Sequence, residues 1–169
     1  MNDKFSEIIK ECEREEENCL YSSTTLYFWL KSLRKIRTFF IVTPLLLGGY
    51  SGVKILASSQ LDWIKYLMGI ASLLAGILPS IFSALKLDLK IEQVDKAAAI
   101  YKILQGKFRR LRNIKSKDMS FENDFNSVIV ELENIKSESI TPPERFFIKA
   151  QNKIAKGDYC SNIDNIKNV

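Results

Sequence analysis

The chain has 169 residues, with 25 lysines and arginines against 20 acidic residues and no histidine. The missing histidine removes the commonest general base and the commonest zinc ligand. A mean hydropathy of −0.07 is that of an ordinary soluble protein, yet it averages two apolar blocks, between Phe39 and Leu85, with heavily charged flanks.

The first segment, 1–37, reads as a cytoplasmic helix. Phe5, Cys12, Cys19, Leu26 and Leu33 recur at seven-residue intervals, and Ile8, Trp29 and Ile36 lie three places on. This is a heptad-like face, weakened where Glu15 and Ser22 fall in the second series. Ser22 to Thr25 offer a helix break with a fresh N-cap. Cys12, Cys19 and Cys160 include no CxxC pair, so neither a disulfide framework nor a metal site is expected. The first two read as small core residues that stay reduced in the cytoplasm. The polar opening predicts that no secretory signal precedes the apolar blocks and that the first block is retained.

Residues 38–57 and 63–85 are predicted to form a transmembrane hairpin, 38–85 overall, giving an all-α membrane fold. At ~1.5 Å per residue each block reaches ~30 Å, about one hydrocarbon thickness. Lys54 and Lys65 lie close to the outer end, where their stems snorkel, and Trp63 and Tyr66 sit there as interfacial aromatics. Lys31, Arg34, Lys35 and Arg37 precede the first block, and Lys86 and Lys90 follow the second, while the linker Ser58 to Asp62 has no lysine or arginine. The basic flanks place both termini inside. Gly48 and Gly52 form a GxxxG pair, and Ser72, Gly76, Ser80 and Ala84 a small-residue stripe. Such seams either close the hairpin on itself or receive another copy. Pro44 and Pro79 each lie six residues from the cytoplasmic end of their span, ~9 Å inside. They free the carbonyls of Phe40 and Ala75 and suggest a hinge layer in a pore wall where Ser72, Ser80 and Ser83 supply hydroxyls. Without an acidic ring or an ion pair in the spans, a selective channel or transporter is not indicated.

Residues 86–115 are expected to continue the second span without a break to about Asn113. Leu87, Val94, Tyr101 and Phe108 repeat the seven-residue interval, supported by Ala97, Leu104 and Leu111. An acidic cluster, Glu11, Glu13, Glu15, Glu16 and Glu17, and a basic one, Lys107, Arg109, Arg110 and Arg112, are expected to face each other within or between subunits. Both would stand ~33 Å below the membrane if the extensions pack antiparallel. Pairing of this kind fixes register more than it stabilises, and with an acidic partner nearby nucleic acid is not the expected ligand. Residues 116–157 give an amphipathic helix on Phe121, Phe125, Val128, Ile129, Leu132 and Ile135, then a break at Thr141-Pro142-Pro143-Glu144. A short helix on Phe146, Phe147, Ala150 and Ile154 ends near Gly157 as C-cap. Residues 158–169 read as a flexible tail. No gathered carboxylates, lysines or phosphate-cradling glycines appear, so neither an enzyme nor a cofactor is expected.

Taken together, the acidic leader, the run LYSSTTLYFWLKSLRKIR entering the first span, and the short outer linker resemble the SLATT family of bacterial two-span membrane proteins. So do KLDLKIEQVDKAAAIYKILQGKFRRLRN after the second span and the proline-led TPPERFFIKAQNKI. The resemblance implies an effector of nucleotide second-messenger defence systems that forms a pore or disrupts the inner membrane when an upstream sensor signals infection. It implies abortive infection as the outcome, with further copies of the chain, membrane lipid and a sensor or nucleotide-synthesising enzyme encoded nearby as partners. It carries over no catalytic residue. The alternative is a non-pore membrane anchor or scaffold that recruits a cytoplasmic partner.

Overall fold

A computed structural model describes residues 2–56, 62–113, 120–138 and 140–157. Among the described residues the fold is all-helical: α1 (Asn2–Leu56), α2 (Asp62–Ala84), α3 (Leu87–Asn113), α4 (Ser120–Glu138) and α5 (Glu144–Ala155). Two compact units result, one of Met1–Leu30 with Gln93–Val169 and the other of Lys31–Glu92. Of the predicted outer linker Ser58 to Asp62 all but Asp62, the first residue of α2, lies outside the described residues, as do Cys160 and the tail 158–169.

The first unit is a three-helix arrangement whose third helix comes in two pieces. Within it α3 runs antiparallel to α1: Arg112 meets Glu16 at 3.2 Å, and Tyr101 shares the wall of a cleft with Thr25 and Leu26. The α4 helix runs parallel to α1, with the Phe5 and Phe121 rings 5.1 Å apart and Lys4 bridging Glu122 at 2.8 Å. Further along, α5 takes over, with Tyr21 and Phe147 6.3 Å apart and the Lys153 ammonium 6.0 Å from the Phe28 ring. Prolines force the division. Pro142 and Pro143 cannot donate within a helix, and Pro143, at φ −59° and ψ 140°, stands as the N-cap of α5. At the far end Gly157 adopts φ +79° and donates its N–H to the Ile154 carbonyl, 2.9 Å away. That conformation suits glycine.

The heptad positions fill this core. Cys12, Cys19, Leu26 and Trp29 of α1 are buried, as are Val94, Tyr101, Leu104, Phe108 and Leu111 of α3, with Ala98 buried where Ala97 was expected and Ala97 only half-buried. Phe121, Val128, Leu132, Phe146 and Ala150 come from α4 and α5. Each large apolar side chain buried contributes about 1.5–3 kcal/mol. The expected break at Ser22 to Thr25 does not occur, since α1 is continuous from Asn2 to Leu56. The hydroxyls turn back onto their own helix: Ser23 donates to the Leu20 carbonyl at 3.1 Å and Thr25 to that of Tyr21 at 2.7 Å. Bonded in this way, they sit in the core without an orphaned polar group.

The second unit contains the rest of α1, all of α2 and the first turn and a half of α3. Arg37 bridges Asp88 at 2.8 Å, and the Phe40 and Phe82 rings stand 6.2 Å apart, so α1 and α2 are antiparallel neighbours. The expected unbroken run from α2 into α3 is corrected by a joint at Leu85-Lys86. Lys86 takes φ +47° and donates to the Ser83 carbonyl at 3.1 Å, and α3 leaves α2 at 44°. The turn buries Leu87 and carries Asp88 to Arg37. Those two contacts offset the strain of a left-handed lysine.

Candidate functional site: the apolar helix pair and its cationic end

No described side chain from Thr38 to Lys86 is fully buried. Leu45 is 75% exposed, Leu46 66% and Leu73 63%, and Phe39, Ile41, Val42, Tyr50, Ile70, Leu74, Ile77 and Ile81 are exposed with them. Soluble monomers rarely show a continuous apolar patch beyond a few hundred Å². Among the described residues no single helix is long and apolar enough to cross a membrane; the bent pair Gly69–Ala84 with Leu87–Asn113 meets that test by length and composition.

Helical periodicity sorts the faces of α2. Ala71, Ala75, Leu78 and Phe82, at spacings of four, three and four, are the half-buried residues and form the side against α1. Ser72, Gly76, Ser80 and Ser83 lie roughly a third of a turn away and are exposed. A Cβ placed on Gly48 or Gly76 meets nothing within 4 Å. The small-residue seam therefore does not close the two helices on each other. Gly52 lies on α1, and its surroundings are outside the described residues. Pro44 is half-buried and Pro79 exposed, and both lie inside their helices. With Arg37 opposite Asp88 and Phe40 opposite Phe82, the antiparallel register brings the two prolines to one level of the pair.

The acidic and basic clusters are sorted among three helices. Glu16 meets Arg112 across α1 and α3, whereas Lys107 bridges Glu131 of α4 and Glu11 contacts Arg14 of its own helix at 3.5 Å. Glu13, Glu17, Arg109 and Arg110 are exposed. Glu15, in the core-facing series, is buried and has the Lys136 ammonium of α4 3.5 Å from its Oε2, close enough to pair but outside hydrogen-bond geometry. Lys136, Glu131 and Asp88 were not among the residues singled out from sequence. A signal existed for Lys136: a carboxylate at a heptad core position needs a cation within reach.

Burial also governs the thiols. It pushes Cys12 from an ordinary 9.0 to about 11, with the Glu11 and Glu16 carboxylates adding to the shift. Cys19 rises to about 12, again mainly through burial and then through Glu15. Neither supplies a thiolate at neutral pH. Among the described residues no group of three or more histidine, cysteine or acidic side chains is placed to hold a metal ion. Comparison with known proteins finds no matching family model, no matching curated protein and no matching solved structure.

Proposed function

We propose that this chain is an oligomeric effector of the bacterial inner membrane, a two-span hairpin with both termini in the cytoplasm. Its spans rearrange to form a pore or disrupt the bilayer in an abortive-infection defence against phage. The sequence resemblance to the SLATT family supplies the biological context. The observation that carries the reading is the outward-facing apolar surface of the helix pair, which has no counterpart among the described residues. Lipid satisfies such a surface on every side, and helical backbone suits the bilayer because its hydrogen bonds are internal. The exposed seam of Ser72, Gly76 and Ser80 is left for another copy, since small residues permit close helix approach in lipid. In this mechanism the cytoplasmic helices hold the spans closed until a signal or partner changes their packing.

Induced expression with a membrane-impermeant dye tests this reading. Dye entry is expected, and Gly76→Leu or Ser72→Leu is expected to abolish it without lowering the amount in the membrane fraction. Growth arrest with an intact membrane potential would overturn the pore and favour the anchor or scaffold. Cysteine labelling at Ser59→Cys from outside the cell checks the topology, and labelling at the termini instead would overturn it.

A further inference from the structure

The apolar surface has a chemically distinct end. Arg37 and Asp88 fix the level at which α1 and the start of α3 meet, and Lys31, Arg34 and Lys35 lie within two turns of it on α1. Lys86 and Lys90 lie within one turn of Asp88 on the other side. All six cations are exposed. Lys31 and Lys35, four residues apart, share the face of α1 opposite the buried Leu33 and the paired Arg37. Their ammonium groups therefore point away from the helix pair. The carboxylates of this region, Asp88 and Glu92, instead line the cleft with Phe82, Ser83, Lys86 and Leu87.

We propose that this cationic end is a binding collar for anionic phospholipid headgroups, so that the hairpin selects phosphatidylglycerol-type lipid for its cytoplasmic leaflet. The inference rests on the membrane reading above and names the lipid that reading leaves open. Charge complementarity carries it. Lysines at an apolar boundary lay their stems along hydrocarbon and raise the ammonium to the phosphate level. Arg37 is engaged by Asp88, and the outward pair Lys31 and Lys35 supplies the strongest contact. Placing carboxylates on the cleft keeps phosphate out of that cleft and on the outer face of α1.

The experiment uses the full chain in nanodiscs of phosphatidylcholine with a minority of spin-labelled phosphatidylglycerol or spin-labelled phosphatidylcholine. The motionally restricted signal reports which lipid the protein holds. A preference for phosphatidylglycerol is expected, weakened about fivefold for each cation removed and lost at high salt. Lys31→Gln/Lys35→Gln should lose most of it, Lys31→Arg/Lys35→Arg should keep it, and Lys149→Gln/Lys156→Gln, an equal change of charge on and just beyond α5, should leave it intact. Equal restriction of both lipids, with the chain inserted, overturns the collar and leaves the membrane reading standing. Failure to enter discs of either composition overturns the membrane reading itself. Displacement of the lipid by inorganic phosphate at matched concentration assigns the cations to a free anion and overturns the leaflet as occupant. Displacement by a single-stranded oligonucleotide overturns it in favour of nucleic acid.

Discussion

At the scale of single residues, the heptad core of α1 holds groups that a hydrophobic average would not choose. Cys12 and Cys19 are fully enclosed, and burial with neighbouring carboxylates holds their thiols up to about 11 and about 12. Both should resist alkylation in the native chain at mildly alkaline pH and react fully once it is denatured. A folded-state value above the unfolded one stabilises the fold below the unfolded value and loses that contribution as pH rises through the folded one. For these thiols the window runs from 9.0 to about 12. The Cys12→Ala/Cys19→Ala variant should therefore show a flatter denaturation profile in that window than the parent chain. Glu15 is the second case. Lys136→Ala leaves its buried carboxylate without this ammonium and should cost about 1–3 kcal/mol in denaturant unfolding. Adding Glu15→Leu to Lys136→Ala should recover most of that loss, because an apolar residue of similar volume replaces a buried ion pair with little penalty. If the double variant is no more stable than the single, the pair does not set the cost.

At the scale of elements, the joint between α2 and α3 gives a test with opposite signs. In a continuous helix Lys86→Gly loses about 1 kcal/mol. At φ +47° the same change relieves left-handed strain and should gain about 0.5–1 kcal/mol, while Lys86→Val should lose stability. Thermal unfolding of the detergent-solubilised chain orders the three variants. The joint also shows where reading from sequence stopped. The seven-residue interval of Leu87, Val94, Tyr101 and Phe108 begins just past it, the apolar run to Leu85 leads straight into that series, and no glycine or proline marks the break, so the pattern gave no reason to stop. Only the burial of Leu87 and the Arg37–Asp88 contact, both tertiary, account for it. Ser22 to Thr25 show the reverse. A cap and a back-bonded helix interior use the same hydroxyls, and the buried setting of Ser23 and Thr25 selected the interior. What was legible needed only local chemistry: the core series of α1 and α3, the proline break before α5 and the glycine after it. Of the charge clusters, sequence reached the residues and the α1–α3 pairing that Glu16 and Arg112 make, but not the turn of Lys107 and Glu15 to α4, whose direction along α1 no pattern in the chain specifies.

At the scale of the whole molecule, the first unit buries its apolar residues and the second leaves them exposed, so substitutions in them should affect different measurements. The chain has two tryptophans. Trp29 is buried in the first unit and Trp63 is exposed in the second. In a Trp63→Phe background, Trp29 emission follows the first unit alone. Phe108→Ala removes a ring that is 0% exposed and should lower the unfolding free energy seen by Trp29 by about 3–5 kcal/mol. If the proposed membrane reading holds, it should leave the carbonate-resistant membrane fraction unchanged, since Phe108 lies in the first unit. Leu46→Asp should do the reverse. At an exposed position it removes no core contact of the first unit and should leave the Trp29 transition in place. In a bilayer an aspartate at mid-span costs about 2.5–3.5 kcal/mol, enough to move most of the chain out of the membrane fraction. A Leu46→Asp chain that stays carbonate-resistant would mean that the exposed leucines face protein rather than lipid. The outward apolar surface would then belong to a larger soluble assembly, and both the pore and the collar would fall with it.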